Sequence, residues 1–238
     1  MILGIVGSPR RNGLTDRLVD AALEGAASRG ASVRKVFLAD YDIRRYSEER
    51  ERGPEELSRL CEEADAIVLG APVYWGDING LTKDFMDTVR ISNGNGKWAL
   101  GISVAGGTGK GLVSAIQSMY HFFYHRQFRG IEPTPVSRFN FEEALQNLYA
   151  SGRRLAELSR VKKPFRDLAD VIEHHQGLPY IGYDFVEEIL LLAEQLLRTA
   201  KNPEAARAEY ERAKALVGQG KRREAVAYAV KAYTTLYY

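Results

Sequence analysis

Three short apolar runs, each cut off by a glycine- or proline-bearing loop and followed by a segment of helical period, constrain this chain more than any other feature. They occupy residues 1–6 (MILGIV), 66–71 (AIVLGA) and 98–105 (WALGISVA). A strand without polar interruptions has to be covered on both faces, the condition of a central strand in a parallel sheet. The segments between them supply the cover, because apolar positions recur at helical spacing over 14–27, 54–64, 81–91 and 111–127. Residues 32–38 alternate as a further strand, and 131–136 reads as a short last one. The expected fold is α/β, a doubly wound parallel five-stranded sheet with helices on both faces. In such sheets ligands collect beyond the carboxyl ends of the strands near the switch in strand order. The loops 7–15, 72–80 and 106–111 are therefore expected to converge.

Beyond residue 141 the pattern changes. Residues 142–161 carry one more helical repeat, and from 164 onward only helices with mixed charge follow. This divides the chain into an α/β domain, 1–163, and a helical extension, 164–238. Residues 213–232 resemble one tetratricopeptide-type hairpin, with small residues at the helix contact and Gly220 at the turn. Such arrays need about three units to bury a core, so this one reads as a packing or self-association element.

Composition removes several function classes. Lys and Arg number 33 against 31 Asp and Glu, a net charge of +2 with both signs interspersed, which gives no basic face for nucleic acid. Cys61 is the single cysteine, so no intrachain disulfide or cysteine-ligated metal centre is expected. The most apolar region, 177–197, is interrupted by Asp184, Glu187, Glu188 and Glu194 and falls short of a membrane span. The opening MILGIVGSPRRNG has no basic residue before its short apolar run and does not read as a signal peptide. A cytoplasmic protein is expected.

The loop 7–15 leaves a strand and enters a helix, where successive N–H groups and the helix dipole attract an anion. Ser8 and Thr15 add hydroxyls, Asn12 an amide, and Arg10 or Arg11 a charge, while Gly7 and Gly13 allow close backbone approach. It is neither a dinucleotide fingerprint nor a Walker loop. The nearest Walker imitation, at 106–111, has Gly111 after Lys110 where a magnesium-binding hydroxyl is needed, and Val104 where the first glycine belongs. In the second loop, Pro72 stiffens the approach, Val73 continues it, Tyr74 and Trp75 offer flat faces, and Gly76 leaves room. In the third, Gly106 and Gly107 beside Thr108 bare their backbone N–H groups.

Together these loops resemble the NAD(P)H-dependent FMN reductase family and its iron–sulfur flavoprotein relatives, within the flavodoxin-like superfamily. The family's phosphate loop, Gly-Ser-Pro-Arg-x-x-Gly-Asn-Thr, is matched by Gly7, Ser8, Pro9, Arg10, Gly13 and Thr15. Its second motif is matched by Pro72, Val73, Tyr74, Trp75 and Gly76, then Lys83, Phe85 and Asp87; its double glycine is matched by Gly106 and Gly107. The likeness spans roughly the first 140 residues. Leu14 replaces the motif's Asn, and residues 41–61 hold one cysteine where the iron–sulfur members carry a cluster of them. The resemblance implies a flavodoxin-like FMN-binding domain with the pyrimidine edge of the flavin at the third loop. It further implies NADPH or NADH as donor, a small acceptor (quinone, free flavin or metal ion) and a homodimer or homotetramer. The alternative is a non-catalytic electron carrier or interaction protein whose helical tail recruits a partner. No residue is expected to act as catalytic acid, base or nucleophile, because the isoalloxazine carries the chemistry.

The remaining polar candidates read as structural. His121 and His125 share an aromatic helix without the acid of a zinc motif, and His174 and His175 read as a packed or solvated pair. Cys61 falls in an apolar helical pattern, and the charged run 44–52 reads as an exposed loop or helix. No metal site is expected.

Overall fold

Strand β1 (Ile2–Val6) is buried along its whole length and sends its side chains alternately into two cores, Leu3 and Ile5 into one, Ile2 and Val6 into the other. The computed structural model describes residues 1–47 and 53–238, so the charged run 44–52 lies partly outside the described residues. Helix α1 (Leu14–Ala27) leads to β2 (Val33–Phe37), and α2 (Glu55–Glu63) leads to β3 (Ala66–Tyr74). Both strands pair with β1 in parallel. The short β4 (Asp77–Ile78) folds back antiparallel on β3, and α3 (Gly80–Thr88) follows it. Strand β5 (Trp98–Ala105) pairs with β3, helix α4 (Leu112–His125) comes next, and β6 (Arg129–Gly130) and β7 (Thr134–Ser137) share the far edge.

The resulting order, β2-β1-β3-β5-β6, has the flavodoxin-like switch between β1 and β3. Two expectations are corrected in detail. β3 continues three residues past 71 because Val73 and Tyr74 find hydrogen-bonding partners in β4. The last strand is split, since Pro133 and Pro135 lack the N–H that a continuous ladder over 131–136 requires.

One face of the sheet is covered by α1 and α5 (Phe141–Leu158), the other by α2, α3 and α4. The α1–α5 contact is made backbone to backbone. A Cβ on Gly152 would lie 1.8 Å from the Ala22 carbonyl oxygen, and one on Gly25 would lie 2.0 Å from that of Tyr149. Helix α6 (Leu168–Gln176) closes the sheet edge, where the Arg129 guanidinium lies 3.9 Å over the Phe165 ring and pairs with Asp170.

Helices α7 (Phe185–Leu197), α8 (Glu204–Gly218) and α9 (Arg222–Tyr237) build a third core. Asp184 and Glu187 start α7 with a capping box, and Gly220, at φ +75°, turns the α8–α9 hairpin. Alanines at 206, 213, 225, 229 and 232 allow those two helices to pack closely. The same core takes in Ala105 and Leu112, so these helices rest on the carboxyl end of β5. Among the described residues no helix is long and apolar enough to cross a membrane.

Candidate functional site

The expected convergence of three loops is present and can be followed bond by bond. Gly7 N–H donates to the Gly70 carbonyl at 2.8 Å, and Asn79 Nδ2 donates to the Gly7 carbonyl at 2.9 Å. The Thr82 hydroxyl donates to Asn79 Oδ1 at 2.6 Å, and it stands where a Cβ on Gly7 would be, only 2.0 Å away. Asn79 and Thr82, both buried, thus lock the first loop to the start of α3. The second and third loops touch at Gly76 and Gly111, where a Cβ on Gly111 would lie 2.5 Å from Gly76 Cα. Asp77 fixes the second loop by accepting the Ser118 hydroxyl at 2.9 Å.

In the first loop, Asn12 takes a left-handed φ of +58°, and its N–H donates to Asp16 Oδ2 at 2.7 Å. The other oxygen of Asp16 accepts from Lys35 Nζ at 2.7 Å, and Asp20 accepts from the same ammonium. Burial opposes the charge on Lys35, but the two carboxylates outweigh it and raise its pKa. Asp16 is therefore neutralised and turned to the loop's own support. Gly13 caps α1 without a side-chain hydrogen bond. The amides of Arg11, Leu14, Thr15 and Asp16 find no acceptor among the described residues. The last three are the orphan donors of a helix start, an arrangement suited to phosphate, and Arg11 precedes it in the loop. Ser8 and Thr15 are buried beside them. The two arginines diverge: Arg11 pairs with Asp40 and lies 4.4 Å over the Phe37 ring, whereas Arg10 is exposed and has no carboxylate partner among the described residues. Leu14 is partly exposed at the mouth of the loop.

Pro72 is buried in β3 opposite Val104, with Val73 partly buried behind it. Tyr74 ends the strand half exposed, and Trp75 is fully exposed at 106% of its reference area. Trp75 and Gly76 have φ of +54° and +91°, the two positive values of a type I′ hairpin turn. A bulky side chain in that region costs roughly 1–2 kcal/mol, and no core contact of Trp75 repays it. The hairpin instead holds a flat indole clear of the surface.

In the third loop Gly106 and Gly107 face open space: a Cβ on either would have nothing within 4 Å. The amides of Gly106, Gly107, Thr108 and Gly109 find no acceptor among the described residues. What sequence reasoning missed is the support from behind. Glu188 Oε1 accepts from Gly111 N–H at 2.9 Å and Val113 N–H at 3.0 Å, and the Tyr233 hydroxyl donates to the Thr108 carbonyl at 2.8 Å. Leu192 packs against Gly109, whose φ of +84° and missing Cβ admit it. No local pattern at 188, 192 or 233 announces these contacts. Asn79 was the one missed residue with a visible sign, a helix-capping type just before Gly80.

The other candidates stay outside this constellation. His121 and His125 are exposed on α4, while His174 and His175 hydrogen-bond the carbonyls of Gly130 and Phe128. Burial and the neighbouring His174 push the His175 pKa down to about 4. Cys61 is buried in α2, and burial pushes its thiol up to about 12.

Comparison with known proteins places the chain in a family. The family model described as NADPH-dependent FMN reductase matches residues 1–135, and the chain belongs to that family. An iron–sulfur flavoprotein of Methanocaldococcus jannaschii is 27% identical over 190 residues, covering 68% of this chain and 98% of its own length. One from Methanosarcina thermophila is 28% identical, covering 70% and 98%. Among solved structures, an archaeal flavodoxin superposes with a TM-score of 0.53 at 19% identity, over 68% of this chain and 100% of its own. Flavin-dependent oxidoreduction is thus the activity class to which the chain is assigned, with a flavodoxin-like fold.

Proposed function

We propose that this member of the FMN reductase family is an NAD(P)H oxidoreductase that holds FMN on the 7–15, 72–76 and 106–108 loops. It passes electrons from NADPH or NADH through the flavin to a small acceptor such as a quinone, free flavin or metal ion. The observation that carries the reading is the uncapped start of α1: among the described residues its first three amides and that of Arg11 find no acceptor, and Arg10, beside the buried Ser8 and Thr15, has no carboxylate partner. A phosphate fits this donor set, since Asp16, the nearby carboxylate, is already engaged by Lys35.

Ser8, Arg10, Asn12, Gly13 and Thr15 would hold the phosphate, with Arg11 bracing the loop through Asp40. Pro72, Val73 and Gly76 shape the hairpin that presents Tyr74 and Trp75 as ring platforms, and the free amides of Gly106, Gly107 and Thr108 suit an electron-rich ring edge. FMN held there would supply the two-electron redox chemistry towards the nicotinamide. The protein's share is binding and orientation, which is why no acid, base or nucleophile is assigned. We further propose that residues 1–163 form the flavin domain and 164–238 the extension, in a cytoplasmic homodimer or homotetramer.

Replacing Ser8 and Arg10 by Ala tests the phosphate role. Each charge-assisted contact contributes about 1.5–3 kcal/mol, so FMN should bind at least tenfold more weakly per residue while riboflavin is little affected. Equal loss of both ligands would refute the assignment. Stopped-flow mixing with NADPH and NADH tests the activity: bleaching of the flavin supports the reductase, and an unreduced flavin leaves the electron carrier.

A further inference from the structure

Glu188 is an uncommon carboxylate. It is 5% exposed, no cation pairs with it among the described residues, and its polar partners are the two backbone N–H groups of Gly111 and Val113. Its neighbours Asp184 and Glu187 share Arg222, but that ion pair does not extend to Glu188. A buried charge without a counter-ion is costly unless hydrogen bonds satisfy it, so its position calls for a role.

The place it occupies is the start of α4, at the foot of the 106–111 loop. A helix start carries the equivalent of about half a positive charge, which by itself would attract negative charge to that loop. Glu188 inverts this: a full negative charge, poorly screened by solvent, sits where the partial positive one would act. Tyr233 and Leu192 reach the same loop from α9 and α7, so two helices remote from it in sequence converge on its backbone. Glu188, Leu192 and Tyr233 all lie outside the family-model match at 1–135.

We propose that Glu188 is a positioning residue through which the helical extension both fixes the 106–111 loop and lowers the reduction potential of the flavin held against it. The proposal rests on the FMN reading above. Reduction by hydride leaves the flavin with one more negative charge, which the carboxylate opposes. The oxidised form carries no such ring charge and is bound with less penalty. The extension thereby keeps the reduced flavin a stronger donor to its acceptor.

Glu188→Gln separates charge from support, because the amide oxygen can still accept from Gly111 and Val113. We expect E188Q to keep its fold and its affinity for oxidised FMN within a few fold, while reduced FMN binds roughly tenfold more tightly. For a two-electron couple that ratio is a rise of about 30 mV in midpoint potential, read by spectroelectrochemical titration. Glu188→Ala removes the support as well, so hydrogen exchange at Gly111 and Val113 should accelerate and oxidised FMN should bind at least tenfold more weakly. If E188A does not fold, E188Q alone decides. A purely structural Glu188 predicts an unchanged potential in E188Q, and that result overturns the proposal. A wild-type protein that binds no FMN removes the flavin reading and the proposal together, whereas bound FMN with an unshifted E188Q removes the proposal alone.

Discussion

Gly152→Ala sets two physical expectations against each other. In an isolated helix the change is favourable, because alanine exceeds glycine in helix propensity by about 0.8–1.0 kcal/mol. In this protein the new Cβ would lie 1.8 Å from the Ala22 carbonyl oxygen and 2.7 Å from its carbonyl carbon, both parts of the α1 backbone. Relief requires that distance to grow from 1.8 Å to about 3.4 Å, which α1 and α5 can reach only by moving apart. A gap of even 0.5–1 Å forfeits a quarter to a half of each dispersion contact, here among Leu18, Ala22 and Ala26 on one helix and Leu148 and Leu155 on the other. Overpacking of this kind costs about 1–3 kcal/mol and more where backbone is the obstacle, so the net expectation is a loss of roughly 2 kcal/mol. For a chain of this size that lowers Tm by about 4–8 °C. Gly218→Ala, at the last turn of α8 with nothing within 4 Å of its would-be Cβ, is the control and should be neutral or stabilising. Urea and thermal unfolding of both variants decide the matter. A G152A protein as stable as the wild type would refute the claim that the close helix contact, not propensity, governs this position. Because the 7–15 loop proposed to hold the phosphate runs into α1, G152A is expected to weaken FMN binding.

Trp75→Gly removes a bulky residue from φ +54°, so Tm should hold or rise by a few degrees. The same variant should bind FMN about three- to tenfold more weakly, the worth of one aromatic contact; a fall in Tm would show that the indole stabilises the fold. Burial holds His175 neutral, with a folded pKa of about 4 against the ordinary 6.5. Its contribution to stability is therefore fully present above pH 6.5 and is lost as pH falls towards 4, by up to about 3 kcal/mol. His175→Gln, which can still donate to the Phe128 carbonyl, should flatten that part of the stability profile. An unaltered profile in the variant would assign the acid sensitivity to other groups.

The layered sheet, and the end of it where loops were expected to gather, could be read from residue patterns alone. Runs such as 66–71 and 98–105 have nothing polar to show to water, so helices had to cover both faces, and their loops had to gather at one end. Ser8, Arg10, Gly13 and Thr15 give the expectation of an anion site because a helix start, hydroxyls and a cation are all local features. Trp75 was legible for the same reason, since a tryptophan before a glycine in a loop is a poor core residue.

Where long-range partners fall was not visible in those patterns and follows from how the elements pack. Charge alone does not distinguish Arg10 from Arg11; the structure separates them, because Asp40 and Phe37 draw Arg11 aside. The split of the last strand and the lengthening of β3 depended on which backbone groups found partners across the sheet. Glu188, Leu192 and Tyr233 read as ordinary positions on amphipathic helices, because helical period records that a residue is buried but not what it is buried against. Their meeting with the 106–111 loop is set by the docking of α7–α9 on the end of β5, a contact between segments at least 75 residues apart in sequence.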